Sequence, residues 1–105
     1  GGVVQGLGPA FFEECLYDDI GQMTNATLAE YLVPMACEMP DIEIAHIETP
    51  TLDTILGAKG VGEAGTAAAG AAAMNAVNDA LRPMGARISQ TPMTPLRILT
   101  ALGHV

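Results

Sequence analysis

The sequence predicts an α+β domain: a small mixed sheet with a Gly-rich N-terminal helix, a central Ala-rich helix and a short C-terminal helix. Three observations carry that expectation. Residues 65–81, GTAAAGAAAMNAVNDAL, have the composition of a helix that Pro83 stops. Residues 41–48, DIEIAHIE, set Ile42, Ile44 and Ile47 against Asp41, Glu43, His46 and Glu48. That period is near two with one slip at Ala45, as in a half-buried strand. Thr94-Pro95 ahead of LRILTAL reads as an N-cap followed by proline at the first helical position.

Taken in order, residues 1–16 place Val4, Leu7, Phe11 and Cys15 near helical spacing. Gly2 and Gly6 share one face of that helix. Glycine weakens helices, so the pair predicts close approach of another backbone or a ligand. Pro9 is expected to kink or restart the helix, and Glu13 and Glu14 to face solvent. Residues 17–24 read as a strand end, a turn at residues 18–21 and a second strand start. Residues 25–32 permit a short helix or an extended stretch, ended by Pro34. After the residue 41–48 strand, residues 49–64 form a long loop rich in Pro, Thr, Asp and Gly, the kind of segment that carries function. Thr66 is placed to cap the Ala-rich helix, whose thinness suggests packing on both sides. Residues 86–89 are a candidate short strand.

The 105 residues support one domain, 1–105. Half the residues are hydrophobic, but Phe and Tyr number two each, so the core must be built from Ala, Val, Leu, Ile and Met. Little aromatic area is available, which points to stability drawn from another chain or domain and to self-association. The chain begins at Gly1 without Met, as expected of a processed product or a piece of something longer. The net charge of −8 argues against nucleic-acid or anionic-membrane partners. Lys59, Arg82, Arg87 and Arg97 are scattered, so an anionic ligand would need backbone N–H groups. Cys15 and Cys37 read as buried thiols in a reduced cytosol, with one disulfide as the alternative. No metal-ligand spacing is present, because His46 and His104 lie far in sequence from both cysteines. His46 on the strand's polar side reads as solvated and His104 as tail. No export signal or membrane span is evident, and the expected location is cytoplasmic.

Residues 60–65, GVGEAG, match the G-x-G-x-x-G of a dinucleotide-binding turn and precede a helix. A convincing strand does not precede them, and Asp79, at the right distance for the acidic partner, falls inside the helix. Glu63 would also face the pyrophosphate, a carboxylate–phosphate repulsion of about 1–4 kcal/mol. With Glu63 as the actor the same residues make sense differently. Small neighbours leave room for a bound molecule, Gly60, Gly62 and Gly65 allow amides to point at an anion, and the helix start adds positive potential. A carboxylate held there is poised to accept a proton, worth about 10²–10⁴-fold in rate. The alternative is a helix start that simply favours a nearby carboxylate.

GAKGVGEAG at residues 57–65, followed by the Ala-rich helix, resembles the C-terminal signature of the molybdenum-binding subunit of the xanthine dehydrogenase/aldehyde oxidase family, which includes carbon monoxide dehydrogenase large chains. Residues 1–14 resemble that family's Gly-rich helix, Tyr17, Asp18 and Gly21 its Y-D…G turn, Asn25, Tyr31, Pro34 and Pro40 its N…Y-x-x-P…P segment, and residues 91–102 its closing helix. The resemblance implies a C-terminal segment of a molybdopterin-binding domain. It implies that Glu63 is the catalytic base, taking a proton from a metal-bound hydroxyl during hydroxylation of an aldehyde or N-heterocycle-type substrate. Lys59, Gly60, Val61, Gly62 and Gln5 would lie against a molybdopterin, as such or in a dinucleotide form. The remaining part of the molybdenum subunit, with FAD and iron-sulfur subunits or domains, would complete the enzyme, and the isolated chain would be inactive and free of cofactor. The chain departs from the family at Thr54-Ile55-Leu56, where a proline is usual, and in its short length. The alternative function is a non-catalytic interaction or assembly domain that keeps the fold.

Overall fold

Gly2, Gly6 and Gly8 all lie within the first helix, α1 (Gly2–Phe11), although glycine disfavours helices. The computed structural model, which describes residues 1–105, shows why they are there. Helix α1 crosses a one-turn helix α2 (Ala64–Ala67) and the long helix α3 (Ala69–Leu81) almost backbone to backbone. A Cβ on Gly2 would stand 3.3 Å from the Gly65 Cα, and one on Gly65 would stand 3.0 Å from the Val3 nitrogen. A Cβ on Gly6 would lie 2.7 Å from the Ala69 Cβ and 2.8 Å from the Thr66 carbonyl oxygen. Thr66 Oγ1 donates to the Gly2 carbonyl at 3.0 Å across this contact.

The core lies further along α1. Ala10, Ala73, Leu81, Ile88 and Met93 are buried together, with Leu7, Phe11, Met74, Val77, Ile98 and others packed around them. It is an aliphatic and methionine core, as the composition required. Two polar ties hold the C-terminal third on it. The Met93 amide donates to the Ala10 carbonyl at the end of α1, at 2.7 Å. Arg97 donates to the Pro92 carbonyl at 2.8 Å and pairs with Glu14. Helix α4 (Pro95–Ala101) starts where the sequence places it: Thr94 Oγ1 accepts from the Arg97 amide and Pro95 occupies the first turn.

The expected mixed sheet is absent. The one β-bridge joins Tyr17 to Met23. Between them Asp18 Oδ1 accepts from the amides of Ile20 and Gln22 at 3.1 and 2.8 Å, and Gly21 takes φ +82. Residues 41–50 form neither strand nor helix, and no backbone group there bonds to another backbone group. A strand needs a neighbour, and the chain offers none. The other candidate, residues 86–89, is held by a side chain instead of a ladder. Asn78 in α3 donates to the Ile88 carbonyl and accepts from the Ile88 amide, both at 2.9 Å.

Other expectations are also corrected. The Ala-rich run is two helices, broken at Ala68 with φ −106, and Thr66 does not cap but lies within the first of them, its hydroxyl donating to the Gly2 carbonyl. It packs on one side: Ala69 and Ala73 are buried, whereas Ala71, Ala72, Ala76 and Ala80 are exposed. Pro9 lies inside α1 and does not restart it. Cys15 and Cys37 are free and exposed. Glu13 and Glu14 are half-buried and partnered, by the Tyr31 hydroxyl and by Arg97. The whole is open: the radius of gyration is 17.7 Å, against about 13 Å for a compact domain of this size. No helix is long and apolar enough to cross a membrane.

The helix crossing predicts opposite outcomes for two glycines. Gly6→Ala forces a methyl into Ala69 and the Thr66 carbonyl, and is expected to cost about 1–3 kcal/mol by overpacking. Gly70→Ala meets only the Gly6 carbonyl oxygen, at 3.9 Å, and should gain about 0.5–1 kcal/mol of helix propensity. Thermal unfolding followed by circular dichroism should show the two midpoints move in opposite directions.

A second expectation concerns Tyr31, whose hydroxyl donates to Glu13 Oε1 at 3.0 Å. That hydrogen bond, then desolvation and the negative charges of Glu13 and Cys15, raises the phenol's pKa above its ordinary value of 10.0. The folded chain holds this proton more tightly than the unfolded one. Its stabilisation is therefore fully present below the ordinary value and is lost as pH rises through the raised one. The ultraviolet phenolate signal of Tyr31, obtained by subtracting the titration of a Tyr31→Phe variant, should appear above the range of free tyrosine.

Candidate functional site

The GVGEAG loop is held at both ends. On its N-terminal side residues 51–57 close a tight turn: the Thr51 amide donates to the Gly57 carbonyl and the Gly57 amide to the Thr54 carbonyl, each at 3.1 Å. Gly57 sits at φ +67, and a Cβ there would be 2.8 Å from the Pro50 Cβ, so this position requires glycine. Lys59 Nζ donates to Thr49 Oγ1 at 2.6 Å, bracing the same turn. On the C-terminal side Gly65 and Thr66 are locked to α1.

Between these anchors none of the six amides of residues 58–63 donates to another backbone group. Gly60 and Gly62 have negative or extended φ, and a Cβ at either would meet nothing within 4 Å. The loop borders an open hollow of about 530 Å³ lined by Gly60, Val61, Gly62, Glu63, Ala64 and Ala67. Glu63 brings the only ionisable side chain to that wall. It occupies the position before α2, and its carbonyl accepts from the Thr66 and Ala67 amides at 3.0 and 3.2 Å. Its carboxylate is exposed, does not cap the helix and forms no ion pair.

The structure gathers Glu63, Gly60, Val61 and Gly62 on one wall. Lys59 faces a neighbouring hollow of about 630 Å³, which shares Gly60 and Val61 and is otherwise lined by residues such as His46, Glu48 and Leu56. Gln5 is exposed on α1 and lines neither hollow. The sequence did not single out Ala64 and Ala67, which complete the wall; the signal was their spacing after Glu63, at the start of a helix. The helix behind the loop is one turn long, so the positive potential expected of a long Ala-rich helix is reduced to that of the loop's own amides. No group of three or more His, Cys, Asp or Glu side chains is placed to hold a metal ion.

A profile of the molybdopterin cofactor-binding domain matches residues 1–40. The chain is 45% identical over 101 residues to the nicotine 6-hydroxylase large subunit of Paenarthrobacter nicotinovorans, covering 96% of this chain and 12% of that protein. It is 33% identical over 98 residues to the carbon monoxide dehydrogenase large chain of Afipia carboxidovorans, covering 93% of this chain and 12% of that one. The crystal structure of quinoline 2-oxidoreductase from Pseudomonas putida 86 superposes on 98% of the chain with a TM-score of 0.92 at 43% identity, using 13% of that structure's chain. The fold of the chain is therefore that of a segment of these larger proteins. The chain belongs to the xanthine dehydrogenase/aldehyde oxidase family, as a segment of its molybdenum-binding subunit. It spans 12–13% of the length of these three relatives.

Proposed function

We propose that the chain is the C-terminal part of a molybdopterin-binding domain and supplies the catalytic base, Glu63, of a molybdenum hydroxylase. The observation that carries this is the wall itself: one free carboxylate, Glu63, among Gly60, Val61, Gly62, Ala64 and Ala67. The residues fit a bulky anionic cofactor. Nothing in the chain's own packing or backbone angles requires glycine at 60 or 62. Glycine there costs about 0.5–1 kcal/mol relative to alanine within regular structure, and a group approaching the backbone from outside gives it a reason. The six unpaired amides offer donors to phosphate or pterin oxygens without a lysine.

A molybdenum cofactor bound at this wall would supply the two-electron redox chemistry. The chain's residues would do the rest of the local work. Gly60, Val61 and Gly62 would seat the cofactor through backbone contact, and Lys59 would keep the loop braced through Thr49. Glu63 would accept a proton at its carboxylate from a group delivered into the hollow, with small neighbours leaving the approach clear. Gln5 would contact the cofactor from α1.

Two of the relatives above 40% identity are named for hydroxylating nicotine and oxidising quinoline. Of the aldehyde and N-heterocycle classes, those names favour an N-heteroaromatic substrate. Names of the type "large subunit" and "large chain" support assembly with further subunits, here the FAD and iron-sulfur partners. The location would be cytoplasmic and the cofactor a molybdopterin, as such or as a dinucleotide. A purely assembling domain would leave Gly60 and Gly62 unexplained.

Two variants of the complete subunit separate the roles. Glu63→Gln should lower turnover at least about 100-fold while molybdenum content, measured by elemental analysis, stays largely intact; near-normal turnover would show that Glu63 is not the base. Gly62→Ala should leave the unfolding free energy within about 0.5 kcal/mol of wild type and reduce molybdenum content. Full loading in that variant would remove the backbone contact.

A further inference from the structure

Residues 41–49 are the most strand-like stretch of the chain and have no partner in it. All nine amides and all nine carbonyls there are without a backbone hydrogen bond. Unpaired backbone of this kind is a template for another strand. The apolar side chains are equally uncovered: Ile44 is 71% exposed and Ile47 93% exposed. The slip at Ala45 has a structural equivalent in a β-bulge, which inserts one residue and restores the phase. With a bulge at Ala45, Ile42, Ile44 and Ile47 share one face, and Asp41, Glu43, His46 and Glu48 share the other.

We propose that residues 41–49 pair, as an added β-strand, with a basic sheet edge in the remaining part of the molybdenum-binding subunit. The assignment rests on the chain's being a segment of that subunit, and is independent of the role given to Glu63. Two observations select this occupant. The chain spans 12–13% of its relatives' length, so most of the subunit lies outside it. The segment is also acidic, with Asp41, Glu43 and Glu48 on one face and no Lys or Arg between Cys37 and Ala58. Pairing with a second copy would crowd those carboxylates together in a chain of net charge −8, and like charges facing across strands are destabilising. A neighbouring strand with Lys or Arg opposite them, and an apolar face beneath the isoleucines, meets both demands. The strand would also anchor the chain just ahead of the turn that Lys59 and Gly57 hold, fixing the hollow relative to the rest of the subunit.

Amide hydrogen exchange of the complete subunit, read by mass spectrometry on peptides covering residues 41–49, tests this. Exchange is expected to be at least about 100-fold slower than in unstructured backbone and independent of protein concentration. Fast exchange would overturn the pairing. Protection that disappears on dilution would overturn it in favour of a second copy. In a Glu43→Lys/Glu48→Lys variant, protection should fall at least about 10-fold, and unchanged protection would overturn the basic edge. Molybdenum content and turnover of the same samples are read separately. A protected strand in a subunit whose Glu63→Gln variant stays active would sink the catalytic reading alone, and an unprotected strand in a subunit inactivated by Glu63→Gln would sink the strand alone.

Discussion

The contact between Gly2 and Gly65 sets the geometry of everything else. A Cβ on Gly2 or Gly65 would stand only 3.0–3.5 Å from the facing backbone, so the crossing leaves no room for a side chain on either face. The spacing is reciprocal: Gly2 and Gly6 on α1 oppose Gly65 and Ala69 on α2 and α3, four residues apart on both sides. Such small-residue crossings hold through many weak dispersion contacts and, here, the Thr66–Gly2 hydrogen bond. They are stiff because any displacement creates a clash or a gap. The catalytic candidate is two residues before this lock. Glu63 therefore inherits its position from α1, a helix more than fifty residues away in sequence.

Beyond that crossing the chain spends little of its apolar surface on itself. Nine of its 105 residues are buried, and Ile20, Leu52, Ile55 and Leu56 are each almost fully exposed. A monomeric globular chain rarely leaves contiguous apolar area of this extent uncovered. The exposed large apolar residues fall mostly between Leu16 and Leu56, the stretch that leads to the candidate loop, whereas the buried ones cluster on α1, α3 and the C-terminal segment. The molecule is thus a folded core with an uncovered arm. The shortage of Trp, Phe and Tyr noted in the composition is the sequence-level trace of the same division.

The helical half was legible because its determinants are local. Thr94-Pro95 caps α4, Pro83 ends the Ala-rich run, and the glycine spacing of α1 announced a close neighbour. The errors came where a partner decides the outcome. The alternation at residues 41–48 is a real β pattern, but a ladder is a property of two strands. Residues 86–89 lost their ladder to one amide, Asn78, which no periodicity reveals. The helix break at Ala68 likewise leaves no mark in a run of alanines. For the site, the motif located Glu63 and its glycines, whereas Gln5 was placed by resemblance alone and lines neither hollow at the loop.

The three glycines of GVGEAG do not share a reason for being glycine. Gly65 answers to the chain's own packing, since a Cβ there would strike the Val3 backbone. Gly60 and Gly62 answer to nothing inside the chain. Under the proposed function, that division would let a chain of net charge −8 face an anionic cofactor. Formal charge acts over a screened range of about 10 Å or less, but amide dipoles act at contact, where water is displaced and their interaction strengthens. Lys59 is spent on Thr49, and the loop's amides are free. An amide wall binds an anion without placing an ammonium group beside Glu63, where it would hold the carboxylate in an ion pair and weaken it as a proton acceptor. A lysine or arginine in place of Gly60 or Gly62 would bring more charge and a poorer base. Under the proposed function, those two demands together would select the loop's composition.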